Sequence, residues 1–440
     1  MSAFRAFLAW TPRTPIFYGW IVLAVGALGT YVATGAAQIT LGGVQSLITD
    51  DTGWDRQTLA FAVTLGTWLG GAITPFVGRM ADRHGPRGLM PIAAFITGLC
   101  FFGLAGARAI WQFYASYIIA RAIANPILVG VVPRTVTVNF FQRRRGFALG
   151  LSSTFRPISG AGNIQVISVI ASFFSWRAAY RYLGAFSVLL VIPLFLLMRR
   201  RPEDIGLQPD GESKLPNTLP PSDGPTASAN PVERLSSEPA WTAGAAARTW
   251  TFWLIVFAEM FTLLVSGTVS FQVAPFLVDS GLSQSLAVAA LSLTILLGAL
   301  VSPLWGIAAD TRSPRSLTMA AILLTGAITV FFLVFDGGMP SFAVVIAWGT
   351  AAGGLNILGS MMLAQYFGRT SFGAISGLME PFRIGALGLG PTFGAILLSR
   401  TGGYITLWIF SVAAYAIALV LIYVVRPPRQ SRVVVAESNS

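Results

Sequence analysis

The sequence predicts an all-α membrane protein in which twelve transmembrane helices form two pseudo-symmetric six-helix bundles. Apolar runs of roughly 20 residues, the length at which a helix spans a bilayer, recur through most of the 440-residue chain. Only 10% of the residues are charged and 54% are hydrophobic, whereas soluble domains average about 25% charged residues. These observations exclude a soluble enzyme with one catalytic domain, and the length of the runs excludes a β-barrel of short alternating strands.

The first half of the chain contains six predicted spans with short breaks between them. They cover residues 16–48, 57–78, 88–107, 110–138, 146–173 and 178–198. The first span is longer than a signal-peptide core and lacks a convincing cleavage site, so it is predicted to be a retained membrane helix. Residues 1–198 are therefore the predicted N-terminal bundle.

A polar stretch over residues 199–248 separates this bundle from six further spans. It is rich in Pro, Ser, Asp and Gly, cannot bury a core, and is predicted to be a disordered cytoplasmic linker. The later spans cover 250–278, 286–308, 315–335, 341–366, 372–398 and 404–425. They predict a C-terminal bundle over residues 249–425 and a cytoplasmic tail over 426–440.

The distribution of basic residues predicts the orientation. With a cytoplasmic N-terminus, 21 of the 29 Lys and Arg residues face the cytoplasm, five face outward and three lie within helices. This bias predicts a protein of the cell membrane (the inner membrane where there are two), with both termini and the linker on the cytoplasmic side. The net charge of +12 is then mostly topogenic, so a nucleic-acid partner is not expected. A single Cys100 and a single His84 leave no set of residues for a metal site or cofactor.

The two halves repeat one another. Residues 78–83 match residues 306–311, and residues 150–156 match residues 377–383, at nearly the same offset. Two similar bundles related by an axis along the membrane normal enclose a cavity at the midplane whose mouths can close alternately. The repeat therefore predicts a transporter, with the monomer as the functional unit.

One motif carries a family resemblance. Gly78-x-x-x-Asp82-Arg83-x-Gly85-x-Arg87 resembles the signature between helices 2 and 3 of the major facilitator superfamily, and twelve spans with a central linker fit its fold. Within it, residues 17–20, 53–56, 139–150 and 202–211 are similar to the monocarboxylate transporter and oxalate–formate antiporter group. This resemblance implies a secondary carrier of small carboxylates. The chain departs from the group because span 286–308 has no basic residue and the acidic motif of helix 1 is absent.

Five charged residues lie near the middle of the predicted spans, where an unpaired charge is costly unless it faces a wet cavity or a partner. They are Arg121, Arg156, Glu259, Glu380 and Arg383. The repeat places Arg156 and Arg383 opposite each other, and two guanidinium forks suit a carboxylate. The predicted substrate-binding residues are Arg156, Arg383, Tyr31, Gln38 and Asn163. In the alternative interpretation, Glu380 neutralises Arg383 and Glu259 neutralises Arg156.

The predicted proton-coupling residues are Glu259, Glu380 and Arg121. Because no histidine lies in a span, a carboxyl group would have to carry the proton. Many superfamily members carry an arginine in the fourth helix, so the resemblance links Arg121 to proton-coupled transport. The alternatives are anion exchange without protons and, for Arg121, a packing role through Tyr117 and the carbonyls near Pro126.

Gating is predicted at the signature motif and its copy. The residues are Gly78, Asp82, Arg83, Arg134 and Asp310. Carboxylates that cap helix N-termini or pair with arginines, such as Asp82 with Arg134, would close the cavity on the cytoplasmic side. The alternative is that these charges only set topology.

Together these features predict a secondary active transporter of a small organic anion, a mono- or dicarboxylate, working by alternating access with or without a coupled proton. Its predicted partners are the carboxylate, protons and the lipid bilayer. One alternative is an efflux carrier for amphipathic or aromatic compounds, and another is a carrier-like receptor that does not transport. The sequence shows no nucleophile–base pair of the kind that would indicate an enzyme.

Overall fold

The computed structural model describes residues 16–211, 241–335 and 338–428, and all of its long elements are helices. The first half contains α1 (Tyr18–Thr34 and Gln38–Thr52), α2 (Arg56–His84), α3 (Pro86–Gly106), α4 (Ile110–Ala124, Asn125–Val129 and Val131–Phe140), α5 (Arg145–Phe173) and α6 (Trp176–Leu197). The second half contains α7 (Trp250–Asp279), α8 (Gln284–Thr311), α9 (Pro314–Phe331), α10 (Gly338–Ala352 and Leu355–Phe367), α11 (Phe372–Thr401) and α12 (Tyr404–Val424).

Three of these helices are interrupted, each at residues that weaken the helical hydrogen-bond ladder. α1 breaks between Thr34 and Gln38, in a small-residue stretch that includes Gly35. α4 changes to a π-helical turn at Asn125–Val129, because Pro126 has no N–H to donate to the preceding turn. α10 breaks where Gly353 and Gly354 follow Ala352. The kink in α4 follows from the sequence, whereas the first predicted span carried no predicted break.

The apolar faces of the helices pack into two hydrophobic cores. One core runs from Tyr18 to Met198, and the other comprises residues 246–425 together with Val138 and Leu149. Ten helical segments of the described chain are long and apolar enough to cross a membrane. The broken α1 and α5, whose polar stripe includes Arg156, complete the set of twelve. The predicted fold class is confirmed.

The loops that follow the even-numbered helices α2, α4, α8 and α10 lie at one end of the bundle. Residues 199–211 and 241–248 lie there as well, so we call it the linker end. α6 ends at Leu197 and α7 begins at Trp250, close to the predicted bundle boundaries, while most of the predicted linker and tail, residues 212–240 and 429–440, lies outside the described residues.

Candidate functional site

A cluster of four charged side chains joins the two halves inside the bundle. The Arg383 guanidinium of α11 lies between two carboxylates, with Nε 2.7 Å from Glu259 Oε2 of α7 and Nη1 2.8 Å from Glu380 Oε2. Arg134 of α4 approaches the same Glu380 oxygen at 3.4 Å. Two arginines and two glutamates sum to zero charge, and Arg383 is only 8% exposed. The cluster therefore satisfies its own charges, and the fork of Arg383 is already occupied.

Close helix packing brings Glu259 to this cluster. A Cβ atom at Gly359 of α10 would overlap the Glu259 carboxylate, so only glycine leaves room for it. Three helices of the second half, α7, α10 and α11, thereby converge on one carboxylate. The sequence alone gave no reason to connect Gly359 with the site.

Arg156 of α5 lies close to this cluster but does not belong to it. Its charge interacts with those of Arg121, Arg134, Glu380 and Arg383, so the guanidinium lies near the cluster inside the bundle, although the residue as a whole is exposed. Within residues 16–211, 241–335 and 338–428 its guanidinium has no ion-pair or hydrogen-bond partner. The alternative interpretation is therefore half right: Arg383 pairs with Glu380, but Glu259 pairs with Arg383 and not with Arg156.

The break in α1 organises a second group of polar residues. Arg121 donates from Nη1 to the Ala36 carbonyl at 2.7 Å and from Nε to Thr67 Oγ1 at 2.7 Å. The Tyr117 hydroxyl donates to the same Ala36 carbonyl at 2.9 Å. Arg121 thus binds a carbonyl freed by the broken α1, rather than one near Pro126 as the packing alternative predicted.

Asn163 of α5 holds the other side of the same break. Its Nδ2 donates to the Tyr31 carbonyl at 2.5 Å and to Thr34 Oγ1 at 2.7 Å. The Tyr31 hydroxyl lies 3.4 Å from that of Tyr182, and Gln38 begins the second segment of α1 with an exposed side chain. Among the predicted substrate-binding residues, Asn163 therefore supports backbone, whereas the side chain of Gln38 is open to solvent.

Replacing Arg121 with glutamine should lower the thermal stability of the purified protein. The change leaves the Ala36 carbonyl, at the break in α1, without its charged donor. A lost hydrogen bond to a charged group costs about 1.5–3 kcal/mol. Thermal unfolding in detergent measures the effect. Arg108→Gln, at an exposed loop position, is the matched control and should unfold like the wild type. Equal stability of the two variants would contradict the structural assignment.

Two aspartates cap helices of the opposite half at the linker end. The Asp82 carboxylate of α2 accepts hydrogen bonds from the backbone N–H groups of Gly373 (3.0 Å) and Ala374 (2.7 Å) at the start of α11. The Asp310 carboxylate of α8 accepts from Gly146 (2.5 Å) and Phe147 (3.0 Å) at the start of α5. Such caps satisfy helix N–H groups and favour the negative charge.

Glycine pairs allow the halves to approach closely at these caps. A Cβ atom at Gly78 would overlap the Gly373 carbonyl, and one at Gly146 would overlap the Gly306 carbonyl. The two crossings, α2 with α11 and α5 with α8, are related by the sequence repeat. The halves are consequently in tight contact at the linker end.

The other predicted gating residues are placed differently. Arg134 contacts Glu380 and not Asp82, which corrects the partner suggested by the sequence. The Arg83 side chain is exposed, and its carbonyl accepts a hydrogen bond from Arg200.

The segment after α6 also connects the halves, which sequence analysis missed. The Asp210 carboxylate accepts from the N–H groups of Gln142 (2.9 Å) and Arg143 (2.7 Å), in the loop before α5. Glu203 Oε1 lies 2.7 Å from Nη2 of Arg369, in the loop before α11. The resemblance in residues 202–211 pointed to this segment without indicating its contacts.

Comparison with known proteins identifies the family to which this architecture belongs. The family model described as Major Facilitator Superfamily matches residues 20–383. The chain belongs to the Major Facilitator Superfamily. Together with the similar transporters described next, membership supports general secondary transport across a membrane and argues against an enzyme.

Curated relatives match shorter stretches. The chain is 26% identical over 212 residues to the riboflavin transporter MCH5 of Saccharomyces cerevisiae, covering 45% of this chain and 40% of that protein. It is 27% identical over 147 residues to the probable sulfoacetate transporter SauU of Cupriavidus necator (32% and 33%), and 24% over 143 residues to a hexuronate transporter of Bacillus subtilis (31% and 32%). The matched region spans about a third to two fifths of the curated relatives.

Solved structures of superfamily members share the fold over nearly the whole chain. The proton:xylose symporter XylE matches with a TM-score of 0.69 and 14% identity, covering 93% of this chain and 96% of that chain. The human organic anion transporter MFSD10 matches with a TM-score of 0.67 and 14% identity, covering 93% of this chain and 100% of that chain. At this identity the likeness concerns the fold alone.

Proposed function

We propose that this protein is a secondary active transporter of a small organic anion, and that Arg156 binds the anion's carboxylate. The observation that carries the proposal is the unpaired guanidinium of Arg156, an exposed residue next to a charge cluster that is already neutral. An unpaired charge within a membrane-embedded bundle is costly, so it is retained where a ligand supplies the counter-charge. Two relatives named for acid anions, hexuronate and sulfoacetate, agree with this substrate class.

Because the Arg383 guanidinium is already paired, fewer classes of carboxylate substrate are expected to fit the site. Two free arginines would favour a dicarboxylate held at both ends, but Glu259 and Glu380 already fill the Arg383 fork. One free fork binds one carboxylate bidentately. We therefore favour a monocarboxylate, or a dicarboxylate held at a single end.

The contacts at the linker end define the state of the transport cycle. The Asp82 and Asp310 caps and both glycine pairs hold the halves together at that end, and we propose that the substrate reaches Arg156 from the opposite end. With the linker in the cytoplasm, as the basic-residue bias predicts, this is a state open to the outside of the cell membrane. The two caps would then be the inner gate, which must separate for the substrate to leave.

A thermal-shift screen of the purified protein tests the substrate class. Ligands that bind the folded state raise its apparent stability. We expect small monocarboxylates to raise the melting temperature, and neutral sugars or amphipathic amines of similar size to leave it unchanged. Counterflow in proteoliposomes then tests transport of each hit. Stabilisation by aromatic amphipaths alone would favour the efflux alternative, and binding without counterflow would favour a receptor.

Replacing Glu380 with glutamine should separate proton coupling from exchange. We propose that proton binding to Glu380 releases Arg383 and Arg134, which links protonation to anion capture. Glu380→Gln cannot take up the proton, so proton-driven uptake should be lost while exchange of one anion for another continues. Uptake driven by an imposed pH gradient, compared with counterflow at constant pH, measures both activities.

Asp50→Asn, at an exposed position near the end of α1 and outside the central cluster, is the control for the loss of a carboxylate and should retain both activities. If Glu380→Gln still accumulates substrate in response to a pH gradient, Glu380 is not the proton carrier.

A further inference from the structure

A groove at the linker end lies between the ends of α7, α9 and α12, away from the central cluster. It has a volume of about 520 Å³ and is lined in part by Trp250 and Thr251 of α7, Arg315 of α9, and Tyr423 and Arg426 at the end of α12. Two arginines from different parts of the fold thus face one space. Among residues 241–335 and 338–428, the groove lining includes no acidic side chain that would balance this local charge of +2.

Hydrogen bonds hold both arginines at the groove. Arg315 donates from Nε to the Ile422 carbonyl at 3.2 Å and from Nη2 to the Tyr423 carbonyl, which fixes its guanidinium and leaves its other N–H groups available. The Arg426 carbonyl accepts a hydrogen bond from Thr251 Oγ1 at 2.8 Å, which ties the residue to the start of α7. The Arg426 side chain is exposed and has no partner in the described part of the chain.

The N-terminus of α7 adds a third positive element. The Thr249 side chain caps the N–H of Phe252, whereas Trp250 and Thr251, as the first residues of the helix, have no carbonyl one turn earlier within it. Backbone N–H groups and the helix dipole at such an end attract anions, phosphate above all. Two guanidinium groups beside a helix N-terminus form a phosphate-binding arrangement.

Aromatic residues place this arrangement at the membrane surface. Trp250 is 84% exposed and Tyr423 is 66% exposed, both at the ends of membrane-spanning helices. Trp and Tyr at such positions mark the level of lipid headgroups. A lipid headgroup supplies a phosphate at this depth.

We propose that this groove is a binding site for the headgroup of an anionic phospholipid. The phosphate binds Arg315, Arg426 and the open N–H groups at the start of α7, and the acyl chains follow the exposed apolar surface that begins at Val424. Basic pockets between membrane helices bind anionic headgroups in this way. The inference does not depend on the substrate proposed above.

Native mass spectrometry of the full chain, purified in micelles doped with phosphatidylglycerol or phosphatidylcholine, tests the site. The wild type should retain phosphatidylglycerol in preference to phosphatidylcholine. Each arginine near the surface contributes about fivefold to anionic-lipid affinity, so Arg426→Gln should lower retention by about that factor and Arg315→Gln/Arg426→Gln by about 25-fold. Arg312→Gln, exposed at the same end but outside the groove lining, should retain lipid like the wild type.

The Arg426→Gln variant protects the test against misfolding, because Arg315 also binds the end of α12 whereas the Arg426 side chain binds nothing. Wild-type retention by Arg426→Gln and the double variant would overturn the proposal. So would displacement of the lipid by inorganic phosphate at the same concentration, since the site would then bind free phosphate and not a lipid.

Discussion

Replacing Arg156 with glutamine is expected to abolish uptake of the carboxylate substrate and to lower its affinity about 10- to 100-fold. A hydrogen bond to a charged group is worth about 1.5–3 kcal/mol, and glutamine can neither balance the carboxylate charge nor form the two-pronged contact. Since the Arg156 side chain makes no hydrogen bond or ion pair within the described residues, its loss should leave the fold intact. Isothermal titration and proteoliposome uptake measure the two effects.

Two variants isolate the reason for this loss. Arg156→Lys keeps the charge and loses the planar fork, so it should bind the anion more weakly than the wild type but better than Arg156→Gln. Arg400→Gln removes an exposed arginine at the far end of α11 and should transport normally. Near-normal uptake by Arg156→Gln would refute the proposed anion site.

Arg383→Gln should behave differently, although the sequence repeat treats it as equivalent to Arg156. Because the buried Arg383 holds two half-buried carboxylates, its removal leaves the cluster with a net negative charge. Breaking a buried ion pair typically costs about 3–5 kcal/mol. The expected result is a strongly destabilised protein, which thermal unfolding distinguishes from the stable Arg156→Gln variant.

The fold class and the positions of these arginines could be predicted from the sequence, but their ion-pair partners could not. Span lengths and the repeat were sufficient for the fold class, because helix length and apolarity are local properties. The charges within spans were identifiable for the same reason. Which carboxylate pairs with which arginine depends on the packing of α7, α10 and α11, including the space left by Gly359, and no spacing in the sequence reports that.

The inner caps and the break in α1 also differ in how well the sequence predicts them. Asp82 and Asp310 were predicted either to cap helices or to pair with arginines because a repeated motif marks them, and the structure places both on helix N-termini of the opposite half. The break after Thr34 had only a weak signal in its small residues. Its stability comes from Arg121 and Asn163, which lie far away in sequence.

Replacing Gly146 with alanine should shift the protein away from the state closed at the linker end. In an isolated helix this change is favourable by about 0.5–1 kcal/mol, so α5 itself should not suffer. In the closed state, however, the new Cβ would overlap the Gly306 carbonyl. Overpacking of this kind costs about 1–3 kcal/mol, which lowers the ratio of closed to open states about 5- to 150-fold. Distances between spin labels at His84→Cys and Arg312→Cys, in a Cys100→Ser background, measure that population.

The control for this variant is Gly88→Ala, a glycine near the start of α3 with no atom within 4 Å of its would-be Cβ. The two substitutions are chemically identical and both lie near the linker end, so only the contact with the opposite half differs. Gly88→Ala should give the wild-type distance distribution. If Gly146→Ala does so too, the crossing of α5 and α8 does not control closure. If it opens the linker end, the Gly146–Gly306 contact is part of the gate, because a defect confined to α5 would not move the two halves apart.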